Sequence, residues 1–224
     1  MSTTEQAPGT TPEQVPGGVE VEVAEFGELE IAFDARVLRP RHWTTAQSRW
    51  AHALLPSAPE GPVLELCSGA GHIGLLAVHG SERSLVCVDA SPVAAAYTRS
   101  NAERAGMGGR VEVRHGMVRD VLAPGERFAL VIADPPWVPA AETARFPEDP
   151  LLAIDGGPDG MVVVDECLRA LVAHLAPGGA AVLQLGTAFQ ADAVAQRLRG
   201  TDLVVGELRE YGEHGVLVRL DRSA

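Results

Sequence analysis

Hydrophobic residues form short apolar runs that alternate with amphipathic segments from residue 61 onward. Nearly continuous apolar runs are typical of strands that are buried on both faces. Such runs predict strands at Val63–Cys67, Leu85–Asp89, Val111–His115, Leu130–Ala133, Ala180–Leu185, Leu203–Leu208 and Val216–Leu220. Helical spacing predicts helices at Gly71–His79, Pro92–Ala105, Met161–Leu175 and Ala188–Leu198. This alternation predicts a parallel α/β sheet that is covered by helices on both faces.

The last two predicted strands follow each other without an intervening helix. Residues 210–215 between them form only a short turn, so the final strand is predicted to run antiparallel to the others. Seven mostly parallel strands that end in a hairpin favour the Rossmann-like sheet of class I methyltransferases over the sheet of dehydrogenases. The predicted fold class is therefore α/β with an antiparallel last strand.

The segment before this sheet has a different pattern. Residues 19–33 alternate between apolar and polar positions on both sides of Gly27, which predicts a β-hairpin. Thr44–Leu55 has helical spacing and ends before a proline. The beginning of the chain is rich in Thr, Pro, Gly, Gln and Glu and has few residues for a core. The predicted division is a disordered tail at 1–18, an N-terminal hairpin and helix at 19–56, and an α/β domain at 57–224.

The composition restricts the cellular compartment and the classes of partner that we predict. Cys67, Cys87 and Cys167 are scattered and odd in number, which predicts reduced thiols in a cytoplasmic protein. No apolar stretch is long enough to cross a membrane, and the seven histidines show no metal-ligand spacing. The formal net charge of −12 disfavours a nucleic-acid backbone as partner. The composition leaves the oligomeric state open.

A glycine-rich turn follows the first strand of the predicted sheet. Gly69 and Gly71 allow the backbone to approach a ligand closely. Asp89 ends the next strand, about 20 residues further on, where a carboxylate can accept both hydroxyls of a ribose. The sequence therefore predicts a site for a cofactor that carries adenosine.

The same turn satisfies the pattern G-x-G-x-x-G through Gly69, Gly71 and Gly74, so by itself it fits NAD as well as S-adenosylmethionine (SAM). Glu65 lies in the strand just ahead of the glycines. A carboxylate there disfavours a pyrophosphate and suits the cationic amino or sulfonium end of SAM. SAM is therefore the predicted cofactor.

An apolar strand ends in Asp134, Pro135, Pro136 and Trp137. The two prolines stiffen the chain at the carboxyl edge of the sheet, where a ligand of an α/β sheet binds. Asp134 and the Pro135 carbonyl can accept hydrogen bonds from a target nitrogen, and Trp137 can pack on a planar group. Asp134, Pro135 and Trp137 are therefore the predicted catalytic residues.

From about Phe26 onward, the chain resembles the HemK-type protein-(glutamine-N5) methyltransferases. The segment 34–44 looks like the segment before the family's core, and the loop 155–160 matches a family loop after the catalytic motif. The family's Asn-Pro-Pro-Tyr falls on 134–137, so Asp134 and Trp137 are departures. Met117 stands where an acid usually contacts adenine. We expect no helical release-factor-recognition domain before the core, so the resemblance leaves the release-factor substrate open.

The resemblance and the motifs together complete the predicted site. The donor-binding residues are Glu65, Cys67, Ser68, Gly69, Ala70, Gly71, Asp89, Ala90, Met117, Val118 and Asp134. The acceptor-binding residues are Trp43, Thr44, Pro136, Trp137 and Asp155.

The predicted function is SAM-dependent N-methylation of a planar amide, amine or guanidine nitrogen, in a small amino-acid-like molecule or a peptide. Because Asp134 is an acid where the family has an amide, we hypothesise an acceptor nitrogen more basic than an amide. Nearby acids would favour such a cation: Glu142, Glu148, Asp149 and Asp155. The alternatives are an adenine-N6 methyltransferase, an NAD-linked oxidoreductase and a SAM-binding protein without turnover.

Overall fold

The computed structural model describes residues 19–223, so the tail predicted at 1–18 lies outside the described residues. The strands are β1 Glu22–Phe26, β2 Leu29–Phe33, β3 Val63–Leu66, β4 Leu85–Asp89, β5 Val111–His115, β6 Phe128–Ala133, β7 Leu175–Leu185, β8 Leu203–Glu210 and β9 Val216–Arg222. The helices are α1 Thr45–Leu54, α2 His72–Val78, α3 Pro92–Arg104, α4 Val118–Val121, α5 Leu151–Ile154, α6 Val162–His174 and α7 Ala188–Arg197. Across residues 19–223, none of the helices combines the length and the apolar character that a bilayer crossing requires.

Seven strands form one sheet in the order β5-β4-β3-β6-β7-β9-β8. The pairs among β3, β4, β5, β6 and β7 are parallel, and β9 runs antiparallel to both β7 and β8. The predicted fold class is therefore confirmed. The largest difference in strand boundaries is at β7, which begins at Leu175 and not at Ala180; the others agree to within two residues. The Pro-Gly-Gly segment of β7 stays beside β6, with an irregular register between Phe128 and Leu130.

The apolar strands bury alternate residues on opposite faces of the sheet. In β6, Leu130 and Ile132 pack with α1 and α2 on one face, and Val131 and Ala133 pack with α6 on the other. Complete burial of such a side chain contributes about 1.5–3 kcal/mol to stability. The continuous apolar character of the strand therefore follows from its position between two helical layers.

The N-terminal hairpin is held against the glycine-rich turn. The Asn101 side chain bonds both backbone groups of Ala32 at 2.8 and 2.9 Å, and it also donates to the Ala70 carbonyl at 2.9 Å. Phe26 packs edge-on against His72. The alternation in residues 19–33 predicts that Val19, Val21 and Val23 share one face, but Val23 is exposed. Phe26 faces the core, because positions 23 and 26 lie on opposite faces of the strand.

Candidate active site

The turn between β3 and α2 depends on backbone conformations that suit glycine. Gly69 and Gly71 have φ of +54° and +79°. A Cβ on Gly69 would meet nothing within 4 Å, whereas a Cβ on Gly71 would lie 2.7 Å from Thr98 Cγ2. Gly69 therefore leaves space for a ligand, and Gly71 permits close packing of α3 against the turn.

Asp89 connects the turn to the end of β4. Its two carboxylate oxygens accept the backbone N–H groups of Gly69 and Ser91, each at 2.8 Å. Burial raises the pKa of this carboxyl, and the two N–H donors act in the opposite direction. Each oxygen retains a lone pair, so Asp89 can also accept hydrogen bonds from a pair of hydroxyls.

A cavity of about 180 Å³, here called the glycine-loop cavity, opens beside this turn. Eight of the predicted donor-binding residues line it: Cys67, Ser68, Gly69, Asp89, Ala90, Met117, Val118 and Asp134. Glu65, Ala70 and Gly71 are not among its lining residues. Ser68 lines this cavity, and its Oγ atom is buried without a hydrogen-bond partner among the described residues. An unsatisfied buried hydroxyl fits a polar ligand.

Glu65 lies beneath the turn and acts on the protein itself. Its Oε1 atom accepts the Gly74 N–H at 2.8 Å, and Oε2 accepts from Cys87 Sγ at 3.3 Å. A Cβ on Gly74 would lie 2.7 Å from the Glu65 carboxyl carbon, so the third glycine of the pattern makes room for this acid. Burial raises the pKa of Glu65 to about 8. The structure does not bring Glu65 to the cavity, because the strand points its side chain into the α2 layer.

The Asp-Pro-Pro-Trp segment follows β6 at the carboxyl edge of the sheet. Asp134 is half-buried, and burial raises its pKa to about 7, although the Arg41 charge opposes that shift. The Trp137 ring lies directly on Gly186, where a Cβ would come within 2.5 Å of Trp137 Cζ3. The Trp137 carbonyl accepts from Gln190 Nε2 at 3.0 Å. The indole therefore has a fixed position beside the carboxylate.

A second cavity of about 360 Å³, here called the tryptophan cavity, lies over this segment. It brings together the predicted residues Trp43, Thr44, Asp134, Pro135, Pro136 and Trp137. Asp155 does not line it. The Asp155 carboxylate accepts the Gly157 N–H at 2.8 Å and so stabilises the turn, while its backbone bridges to Val138. Asp155 therefore supports the loop that carries Trp137.

The two cavities meet. They share the lining residues Leu38, His72, Asp134, Pro136 and Ala153. His72 is 8% exposed, and burial lowers its pKa to about 4, so its ring is neutral near pH 7. Its Nδ1 atom is buried without a partner among the described residues. The junction thus combines a carboxyl group with an unsatisfied imidazole nitrogen.

Sequence reasoning missed one wall of the tryptophan cavity. Gln184, Glu213 and His214 line it, and His214 stacks on Trp43 with ring centroids 4.2 Å apart. The turn between β8 and β9 lies at the carboxyl edge because β9 alone reverses direction in the sheet. The predicted antiparallel last strand was the signal that could have placed this turn at the site.

Sequence reasoning also missed Arg36, which lines the glycine-loop cavity. Arg36 is fixed by Asp34, whose two oxygens accept its Nε and Nη2 groups at 2.5 to 3.1 Å. These bonds lower the pKa of Asp34 to about 2, and Tyr97 also donates to it, at 2.6 Å. The segment after the hairpin is thereby held against the cavity.

This strand order and these joined cavities define a Rossmann-like methyltransferase domain, and the family described as "Methyltransferase domain" matches residues 63–146. The release factor glutamine methyltransferase of Geobacter sulfurreducens is 34% identical over 201 residues, which cover 81% of this chain and 69% of the relative. The chain belongs to the release factor glutamine methyltransferase family.

Other relatives match a smaller part of their length. The ribosomal protein uL3 glutamine methyltransferase of Bradyrhizobium diazoefficiens is 36% identical over 138 residues, covering 58% of this chain and 42% of the relative. The chain spans 42% to 69% of the length of the curated relatives it matches. A methyltransferase from Pyrococcus furiosus has the same fold, with a TM-score of 0.65, 18% identity, and coverage of 88% of this chain and 91% of that chain.

Proposed function

We propose that the chain is a SAM-dependent N-methyltransferase, in which the glycine-loop cavity holds the donor and the tryptophan cavity holds the acceptor nitrogen. The observation that carries this proposal is the junction of the two cavities at Asp134. Methyl transfer requires the nitrogen and the methyl carbon to meet in line, and a shared wall allows both ligands to reach one point.

Family membership implies SAM as the cofactor, and the residues of the glycine-loop cavity fit it. Asp89 can accept the ribose hydroxyls, and Met117 and Val118 offer an apolar surface to the adenine. Ser68 Oγ and His72 Nδ1 are buried polar atoms that lack partners among residues 19–223. They suit the polar amino-acid end of the donor, which Glu65 was predicted to hold.

When bound, the donor supplies an electrophilic methyl group; the chain supplies orientation. Asp134 and the Pro135 carbonyl accept the N–H groups of the acceptor, which directs the nitrogen lone pair toward the junction. Trp137, fixed on Gly186, packs on the planar group of the acceptor. Holding the nitrogen in this near-attack geometry supplies much of the rate enhancement.

The acceptor is proposed from the relatives and from the cavity. The relatives are described as acting on glutamine of release factors or of ribosomal protein uL3. A protein side chain is therefore the favoured acceptor, with an amide, amine or guanidine nitrogen. Three free cysteines among the described residues support the proposal of a cytoplasmic protein.

Calorimetry with S-adenosylhomocysteine, the demethylated donor, tests the proposed donor site. We expect one binding site for this compound and no heat for NAD. Gly69→Ala adds a Cβ to the open space at positive φ and should weaken binding at least tenfold. Gly200→Ala is the matched control, because Gly200 has φ +83° and equally open surroundings. Binding of NAD in place of S-adenosylhomocysteine would contradict the proposal.

A further inference from the structure

The arginines that line the tryptophan cavity are already paired with acids. Arg41 pairs with Asp149, and the Arg41 guanidinium also lies over Trp43. Arg145 pairs with Glu142 at 2.6 Å. The third, Arg39, pairs with a hairpin acid, Glu22. Two of the acids that the sequence suggested for a cation, Glu142 and Asp149, are therefore neutralised by the protein.

Two other carboxylates of the cavity have no such partner. Within residues 19–223, neither Asp134 nor Glu213 has a basic side chain within 4.0 Å or accepts a hydrogen bond. Glu213 is exposed, so solvent screens it, whereas Asp134 is half-buried at the junction of the cavities. An ionised carboxylate in such surroundings is costly unless a positive charge approaches it.

The walls of the cavity suit a flat group. Trp43 and His214 stack on each other with an interplanar angle of 12° and form an aromatic pair in the cavity wall. Trp137 and Phe146 supply two more aromatic rings. A guanidinium is planar and stacks on aromatic faces, while a compact ammonium gains less from such walls.

We infer that the acceptor is a guanidinium group, as in an arginine side chain, and not the neutral amide on which the relatives are described as acting. This inference rests on the proposed function and names the substrate class of the same site. As the N–CH₃ bond forms, the CH₃–S bond breaks and its electron pair remains on sulfur. Asp134 accepts the proton that the nitrogen loses, so the product is a methylated guanidinium.

The test measures binding of two probes that differ mainly in charge. The full chain, saturated with S-adenosylhomocysteine, is titrated with Nα-acetyl-arginine amide and with Nα-acetyl-citrulline amide. Nα-acetyl-glutamine amide is the third probe. We expect the arginine probe to bind at least tenfold more tightly than the citrulline and glutamine probes.

Variants connect this preference to the proposed contacts. Asp134→Asn should reduce the arginine-to-citrulline ratio to about one, and a melting curve close to that of the wild type shows that the variant is folded. Glu213→Gln should reduce the ratio about twofold. Glu148→Gln is the matched control, because Glu148 is an exposed acid that does not line the cavity, and its ratio should stay at the wild-type value.

Equal or tighter binding of the citrulline or glutamine probe would overturn the inference, as would the absence of arginine binding to a chain that binds S-adenosylhomocysteine. In both cases the proposed donor site would stand. Failure to bind S-adenosylhomocysteine would contradict the proposed function and this inference together.

Discussion

The two cavities at the carboxyl edge of the sheet are built in different ways. The glycine-loop cavity is lined mainly by the segments that directly follow β3, β4 and β5, and its surface is largely apolar. The tryptophan cavity combines the segment before α1, the Asp-Pro-Pro-Trp segment, the loop before α5 and the turn after β8. It is lined by three arginines and three acids. Among the described residues, two of these acids, Asp134 and Glu213, have no basic partner.

This difference indicates that the fold provides the proposed donor site, whereas the loops of the individual chain provide the proposed acceptor site. Strand ends of a Rossmann-like sheet recur in fixed positions, so they can hold a common donor. The connecting loops can vary without disturbing that sheet, so they determine the acceptor. Substitutions should therefore affect the two ligands separately, except at the shared junction.

The largest effect is expected at the junction. Asp134→Ala removes the group that we propose orients the nitrogen and accepts its proton, so we expect turnover to fall about 10³-fold. The affinity for S-adenosylhomocysteine should change less than threefold, because Asp89 and the glycine turn remain. Single-turnover transfer of a labelled methyl group and calorimetry measure the two quantities. A large loss of donor affinity would show that the two cavities are not separable at Asp134.

Asp89→Ala should affect the donor alone. It removes the acceptor of the Gly69 and Ser91 N–H groups and the proposed partner of the ribose hydroxyls. We expect S-adenosylhomocysteine to bind about 100-fold more weakly, since hydrogen bonds to a charged group contribute about 1.5–3 kcal/mol. Calorimetry checks this value, with a melting curve as the folding control. A change of less than threefold would exclude Asp89 from the donor site.

Glu65→Gln should affect stability and neither ligand directly. Burial raises the folded-state pKa of Glu65 from 4.5 to about 8, so folding retains a proton that the unfolded chain releases above pH 4.5. The stabilisation from this proton is present at low pH and is lost as pH rises through 8. Glu65 alone should lower the unfolding free energy by an amount on the order of 3 kcal/mol between pH 5 and 8.

In the Glu65→Gln variant this contribution should be absent, and the contribution of Asp134, whose pKa burial raises to about 7, should remain. Glu60→Gln, at an exposed position, should keep both contributions. Urea unfolding at several pH values measures the slope. An unchanged slope in Glu65→Gln would mean that the carboxyl is ionised in the folded protein.

The smallest of these effects is expected at Gly186. Gly186→Ala places a Cβ within 2.5 Å of the Trp137 ring and should displace it. We expect acceptor affinity to fall about tenfold, in line with the loss of one aromatic contact of about 1 kcal/mol together with the misplaced ring. Donor affinity should not change. Gly109→Ala, with open surroundings, is the matched control. Unaltered acceptor binding in Gly186→Ala would place the acceptor away from Trp137.

The predicted residues include much of the lining of the glycine-loop cavity and only part of the lining of the tryptophan cavity. Periodicity placed the strands, and strand ends placed Asp89 and Asp134 at one edge. Periodicity did not reveal which way a side chain points. Glu65 was therefore predicted to bind the donor, although its side chain packs beneath α2. Nor did periodicity reveal long-range pairing: the Arg41–Asp149 bond joins residues far apart in the chain. Asp155 was misplaced for a similar reason, because its carboxylate caps its own turn.

A crystal structure of the chain with S-adenosylhomocysteine would locate the donor relative to the junction of the two cavities. We expect the ribose on Asp89 and the sulfur at the junction, within contact distance of Asp134 and Pro136. A ligand whose sulfur points away from this junction, or that binds outside the glycine-loop cavity, would show that the proposed arrangement of donor and acceptor is wrong.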